Sequence, residues 1–256
     1  MTHFRDRLLA RDPLIGTWMK TPSAIIAEIL GLTALDCICL DAEHAPFDRL
    51  AIDSAVAALR AADKPVLVRV PELSAAAVLN ALDCGATGVV MPHVTTAAQA
   101  KDLVTMCQYG PGGRGYAGSS RAAGYTTFAM ADNLARARAN ICVIAQIEDL
   151  PALDDIDDIA AVEGIDCLFI GRIDLTIALG ARSPKDKPVT DAVEAICAAG
   201  KKAGRPVGMF VSDLAEIPHW QKAGASLFLL QSDHNFILDG AKTLRSQFDQ
   251  AVVDTR

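Results

Sequence analysis

Short, almost wholly apolar runs recur along this chain, and several stop abruptly at a charge. The run at 143–148 reads VIAQIE, and the run at 167–175 reads CLFIGRIDL. Strands buried on both faces, as in a parallel sheet, read as continuous hydrophobic stretches rather than as alternation. Eight such runs fall at 15–19, 37–40, 66–70, 88–91, 142–147, 167–170, 207–211 and 227–230. Between them, residues 23–30, 49–61, 74–83, 97–107, 153–162, 191–199 and 214–223 carry apolar side chains at the i, i+3, i+4 spacing of amphipathic helices. Ser23, Ser74, and Ser212 or Asp213 stand where a helix N-cap is wanted. Eight strands alternating with helices over 256 residues predict a (β/α)8 TIM barrel, a fold that typically takes about 250. The expected organisation is one barrel domain over 1–256, with a C-terminal helical tail from about 240. No GxGxxG follows the first strand, so a dinucleotide-binding sheet has no support.

One segment breaks the rhythm. Residues 108–128 (QYGPGGRGYAGSSRAAGYTTF) are rich in Gly and Ser and carry Arg114 and Arg121. They lack the Gly-Lys-Ser/Thr ending of a phosphate loop. A loop this long inside a compact domain is usually functional, so an active-site or subunit-interface role is expected ahead of a mobile surface loop.

Composition narrows the partners. Net charge is −7, which argues against nucleic acid or an anionic membrane surface as the main partner. The seven cysteines form no CxxC pair and sit mostly inside apolar runs, the usage of a reducing, cytoplasmic compartment. Residues 1–13 contain no apolar signal core, and no run approaches the roughly 18 residues of a membrane span.

In a parallel barrel, catalytic groups stand at the C-terminal ends of the strands. There the sequence puts Asp41, Glu43 and His44 after the second strand, Arg69 at the third, Gln146 and Glu148 at the fifth, and Asp174 past the sixth. Glu148 and Asp174 on neighbouring strands would repel each other unless a cation lay between them. Two carboxylates without His or Cys form a hard oxygen site suited to Mg²⁺ or Mn²⁺. A 2-oxo acid would fill such an open site, with the cation as Lewis acid on its keto oxygen. Arg69 would stabilise the charge that develops there, and His44, with an ordinary pKa of ~6.5, is the natural proton shuttle. Each residue also has a plain structural reading. Arg69 could pair with Asp41 or Glu43, the two carboxylates with nearby cations, and Asp83 could be a solvated surface charge. Their convergence on one face favours chemistry.

The motifs DAEHAP (41–46), VRVP (68–71), VVMPHVTTAAQA (89–100), GPGGRG (110–115), QIE (146–148) and FIGRIDL (169–175) resemble the HpcH/HpaI family of metal-dependent, class II pyruvate aldolases. The resemblance runs from about Ile15 to Asp233. It implies Glu148 and Asp174 as metal ligands, His44 as base with Asp83 raising its basicity, and Arg69 steadying the enolate. It also implies that Gln146, Gly171 and Ile173 hold the oxo acid; Trp18, near the end of the first strand, is expected at the same substrate site. The implied cofactor is Mg²⁺, Mn²⁺ or Co²⁺, and the implied assembly a homohexamer packed partly through the segment after Gly240. Where the family commonly reads GPADL or GPNDL, this chain has Gly171-Arg172-Ile173-Asp174-Leu175, and Arg121 has no clear counterpart.

The expected activity is reversible aldol cleavage of a 4-hydroxy-2-oxo acid to pyruvate or hydroxypyruvate and an aldehyde, with oxaloacetate decarboxylation as a side reaction. A lyase acting on CoA thioesters or citryl groups would call for a basic surface. A Schiff-base aldolase needs a Lys within an apolar strand end, where neither Lys20 nor Lys64 fits well. A non-catalytic oxo-acid-binding barrel would be expected to lack His44 or a metal ligand, and all are present.

Overall fold

The computed structural model describes residues 3–253. A short helix, α1 (Phe4–Leu9), precedes β1 (Leu14–Met19), α2 (Ala24–Gly31), β2 (Cys37–Asp41), α3 (Arg49–Ala61), β3 (Val66–Arg69) and α4 (Ala75–Asp83). The chain continues through β4 (Gly88–Met91), α5 (Ala97–Cys107), α6 (Met130–Asn140), β5 (Cys142–Ile147), α7 (Leu150–Asp154), α8 (Ile156–Ala161), β6 (Cys167–Ile170) and α9 (Arg172–Ala178). It ends with α10 (Lys187–Lys202), β7 (Val207–Met209), α11 (Ile217–Ala223), β8 (Ala225–Ser232) and α12 (Asp233–Val253). The eight strands close in sequence order into one parallel barrel, β1 pairing with β8.

Side chains alternate in and out along each strand, and the interior is a packed core. Leu14 and Trp18, Cys37 and Cys39, Leu67, Val90, Cys142 and Ile144, Cys167 and Phe169, Leu227 and Leu229 fill it, with Phe4 and Leu8 of α1 joining the same cluster. Four of these are cysteines, acting as small hydrophobes where the barrel is narrow. The same period-two rows carry on into chemistry. Cys37 and Cys39 lead to Asp41, Leu67 to Arg69, and Cys142 and Ile144 to Gln146 and then Glu148. The outer strand face meets the helices in a second, larger core that runs from Met19 to Leu230.

The expected caps are present: Ser23 and Ser74 accept from the backbone of Ile26 and Ala77, and Asp213 caps a short 3₁₀ turn at Leu214–Glu216. The elements the hydrophobic pattern left out are α1, α6 and α9, each short or weakly apolar. The helix expected over 153–162 is two, broken at Asp155. The tail helix starts at Asp233, seven residues before the expected 240, while residues 254–256 of that tail lie outside the described residues.

Candidate active site

Arg69 organises the C-terminal mouth. Its Nε and Nη2 donate to Asp41 Oδ1 at 3.1 and 2.8 Å, and Nη1 lies 3.2 Å from Glu43 Oε2. Its guanidinium stacks 4.5 Å over the Trp18 ring, and Trp18 meets Phe169 edge-on at 5.7 Å. Arg69 and Asp41 are both buried, so the planar cation is held by fixed partners before any substrate arrives. Lys20, just past β1, completes the charge balance with Nζ 3.1 Å from Asp41 Oδ2. Burial opposes ionisation of Asp41, but Arg69, the His44 amide and Lys20 outweigh it and hold the pKa below the usual carboxylate range.

A second group surrounds Glu148, which is 2% exposed. Gln146 Nε2 donates to its Oε2 at 2.5 Å, and the His93 amide donates to its Oε1 at 2.9 Å. Burial, reinforced by the like charge of Asp174, pushes the Glu148 pKa up despite those hydrogen bonds. Gly171 is required beside it: a Cβ there would run into the Glu148 carboxylate. His93 adopts a left-handed backbone (φ 55°), uncommon for a residue with a side chain. Its ring lies between three acids, 2.9 Å from Asp149, 3.3 Å from Glu43 and 3.5 Å from Glu148. Burial lowers its pKa but these carboxylates outweigh that, so the net shift is upward.

Ligand atoms of Glu43, His93 and Glu148 all lie within 4.8 Å of one another. Asp174, in the first turn of α9, lines the adjacent cavity of about 360 Å³ together with Trp18, His44, Arg69, Gln146 and Gly171. The donor set fits a divalent cation. Among the described residues Glu148 is buried with no Lys or Arg paired to it, it feels Asp174, and Gln146 Oε1 is a buried acceptor with no partner. Glu148 belongs to either ligand pairing, with Asp174 across the cavity or with Glu43 and His93.

Eight of the nine residues singled out in the sequence meet here: Trp18, His44, Arg69, Gln146, Glu148, Gly171, Ile173 and Asp174. Asp83 does not. It is the last residue of α4, and a helix that follows a barrel strand runs back toward the opposite end. There it binds Arg114 at 2.5 Å, so no His44–Asp83 pair forms within the chain. Arg121 is also remote, bonded to Asp53 at 2.6 and 2.9 Å and to the Cys84 carbonyl. Arg172, which stands where the family commonly has Pro, turns its guanidinium to the Pro184 carbonyl and to Glu216. Sequence reasoning assigned no role to His93 and rejected Lys20 as a Schiff-base lysine without giving it another. Both stand directly after strands, where the rule that selected His44 would have found them.

A parallel barrel whose strand ends gather a buried arginine, several carboxylates and two histidines around one open cavity is an enzyme with its site at the usual face. The family model for HpcH/HpaI aldolase/citrate lyase matches residues 14–238, and the chain belongs to that family. It is 36% identical over 242 residues to a hydroxypyruvate/pyruvate aldolase of Paraburkholderia phytofirmans, covering 91% of this chain and 92% of that one. It is 33% identical to a 5-keto-4-deoxy-D-glucarate aldolase of Klebsiella pneumoniae, covering 96% of each. Among solved structures, an HpcH/HpaI aldolase/citrate lyase family protein from Burkholderia cenocepacia superposes with a TM-score of 0.89 at 34% identity, covering 96% and 98% of the two chains. The chain is accordingly a carbon–carbon lyase, an aldolase of the metal-dependent class II kind.

Proposed function

We propose that this aldolase joins pyruvate or hydroxypyruvate, as the nucleophilic donor, to an aldehyde, and cleaves the corresponding 4-hydroxy-2-oxo acids. The observation that carries the reading is one mouth holding a fixed buried cation, Arg69, beside a buried carboxylate, Glu148, that has no Lys or Arg of its own among the described residues. That arrangement suits a small anion needing charge stabilisation at one end and chelation at the other. The donor's identity follows the names of the relatives.

Glu148 and Asp174 are the residues that would hold a divalent cation, with Mg²⁺, Mn²⁺ and Co²⁺ as candidates. When bound, it supplies Lewis-acid polarisation of the donor's keto group. The remaining chemistry belongs to the chain. Gln146, Gly171 and Ile173 position the oxo acid against the Trp18 wall. His44, half exposed at the rim, takes the proton from the donor's methyl or hydroxymethyl carbon and returns one to the aldehyde oxygen. Arg69 offsets the negative charge that grows as the proton leaves.

The working unit is a homo-oligomer, with the hexamer as the family's expected form. Along α12, Phe236, Ile237, Leu238, Leu244 and Phe248 are 43–68% exposed, an apolar surface with no cover among the described residues. Ile15 on β1 and Ile25 and Ile29 on α2 are likewise bare. Exchange of α12 between copies would cover both. A second copy would also be a route by which Asp83 reaches His44. A cytoplasmic setting accords with seven free, buried cysteines. No helix among the described residues is long and apolar enough to cross a membrane.

The test is aldol synthesis and cleavage with both donors across an aldehyde panel, before and after chelation. Chelation should abolish turnover, and Mg²⁺, Mn²⁺ or Co²⁺ should restore it. Full activity in rigorously metal-free enzyme would overturn the mechanism. Turnover of CoA thioesters in place of free oxo acids would overturn the substrate assignment.

A further inference from the structure

We propose that the chamber under α6, at the end of the barrel opposite the catalytic mouth, is a second binding site that takes a small oxyanion of the phosphate class. The chamber has a volume of about 120 Å³, room for a few heavy atoms against the ~30 Å³ that one water occupies in the liquid. Gly85 and Ala86, which precede β4, and Ile141, which precedes β5, put it at the N-terminal face.

Its walls carry polar groups that no described residue satisfies with a hydrogen bond of good geometry. Arg114 is 6% exposed and Asn133 is 3% exposed, yet Arg114 Nε and Asn133 Nδ2 have no hydrogen-bond partner among the described residues. The Tyr109 hydroxyl, whose neighbour is Asn133, likewise makes no hydrogen bond of good geometry among the described residues. Buried donors are nearly always satisfied, and leaving one bare costs ~1–3 kcal/mol. Asn140 Oδ1 is the one partnerless acceptor of the group, suited to the P–OH of a hydrogenphosphate.

Charge selects an anion over water. The segment 109–136 and its neighbours bring Arg60, Arg114, Arg121 and Arg136 close together. Asp83 neutralises Arg114 and Asp53 neutralises Arg121. Arg60 and Arg136 line the chamber with no carboxylate partner among the described residues; Arg60 donates to the Gly85 carbonyl, and Arg136 lies 4.3 Å over Phe128. The Arg60 pKa is lowered by desolvation and by the charges of Arg121 and Arg136, the mark of cations facing one another without a counter-ion. Waters would satisfy the donors but leave that repulsion in place. An oxyanion relieves both, since guanidinium groups match its oxygens with paired N–H bonds. Bound there, it would tie the Gly-rich turn around Arg114 to α6, which leads directly into β5.

Orthophosphate is the probe, titrated calorimetrically into the Mg²⁺-loaded enzyme with ionic strength held constant by NaCl. We expect one saturable site per chain and a rise in melting temperature beyond that of matched chloride. Arg60 and Arg136 are exposed and neither lines the catalytic mouth, so Arg60→Gln and Arg136→Gln should fold normally and keep the wild-type aldol rate. Each should weaken phosphate roughly tenfold, as for loss of one charged hydrogen bond, and the double variant should abolish the site. No saturable binding over the chloride control overturns the proposal. So does undiminished affinity in the double variant, which would move the phosphate elsewhere, for instance to Lys20 and Arg69 at the mouth. Neither result touches the aldolase reading, whose test is turnover.

Discussion

Arg69 is the residue on which most of the mouth depends. Removing it takes away the donor aimed at developing charge and leaves Asp41 buried with Lys20 as its remaining cation. Arg69→Ala should lower kcat by about 10²–10³, the usual cost of one such donor, with a smaller effect on KM. Arg69→Lys should recover part, since an ammonium keeps the charge without the planar fork. Oxaloacetate decarboxylation, which builds up the same enolate charge, should fall in parallel; if it survives while cleavage collapses, Arg69 serves the aldehyde. His44 makes a separate claim. His44→Ala should still bind metal and oxo acid yet lose roughly 10²–10⁴ in rate. Exchange of donor protons with solvent, followed by NMR, measures the step directly, and wild-type exchange in that variant would move the base to another group, with His93 next in line.

At the level of elements, the legible part of the site is the part that strands carry. Once 142–147 is read as a strand with Cys142 and Ile144 inward, Gln146 has to face the barrel axis, and the same count delivers Arg69 and Asp41. Asp83 lies away from the mouth of its own chain because it sits on a helix: its place along the barrel depends on helix direction and length. The Gly-rich segment 108–128 uses its two arginines on Asp83 and Asp53 rather than at the mouth. No local pattern encodes pairings across 31 and 68 residues. The exposed apolar face of α12 bears its own prediction. Truncation after Gly240 should convert the assembly, read by light scattering, into smaller species, and Phe248→Glu should do so more mildly. An unchanged molar mass in both would exclude α12 from the interface.

At the scale of the whole molecule, the barrel sets the reactivity of its cysteines. All seven are buried, and burial pushes Cys84 up to about 11 and Cys107 and Cys197 up to about 12. In native enzyme at pH 8, a thiol reagent such as Ellman's should therefore find no fast-reacting group, and all seven should appear on denaturation. A rapid native thiol would mean that the barrel opens locally. These cysteines also mark the boundary between what the chain encodes locally and what folding adds. Alternating apolar runs and amphipathic helices determined the barrel, its strand order and the inward residues of its upper rim, because strand and helix periods are properties of neighbouring residues. Closure of the sheet alone decided which rim residues meet. It brought His93 from β4 between Glu43 and Glu148, joined Lys20 to Asp41, and sent Asp83 to the opposite end, because contacts between residues far apart in the chain are set by the geometry of the closed barrel and not by local pattern.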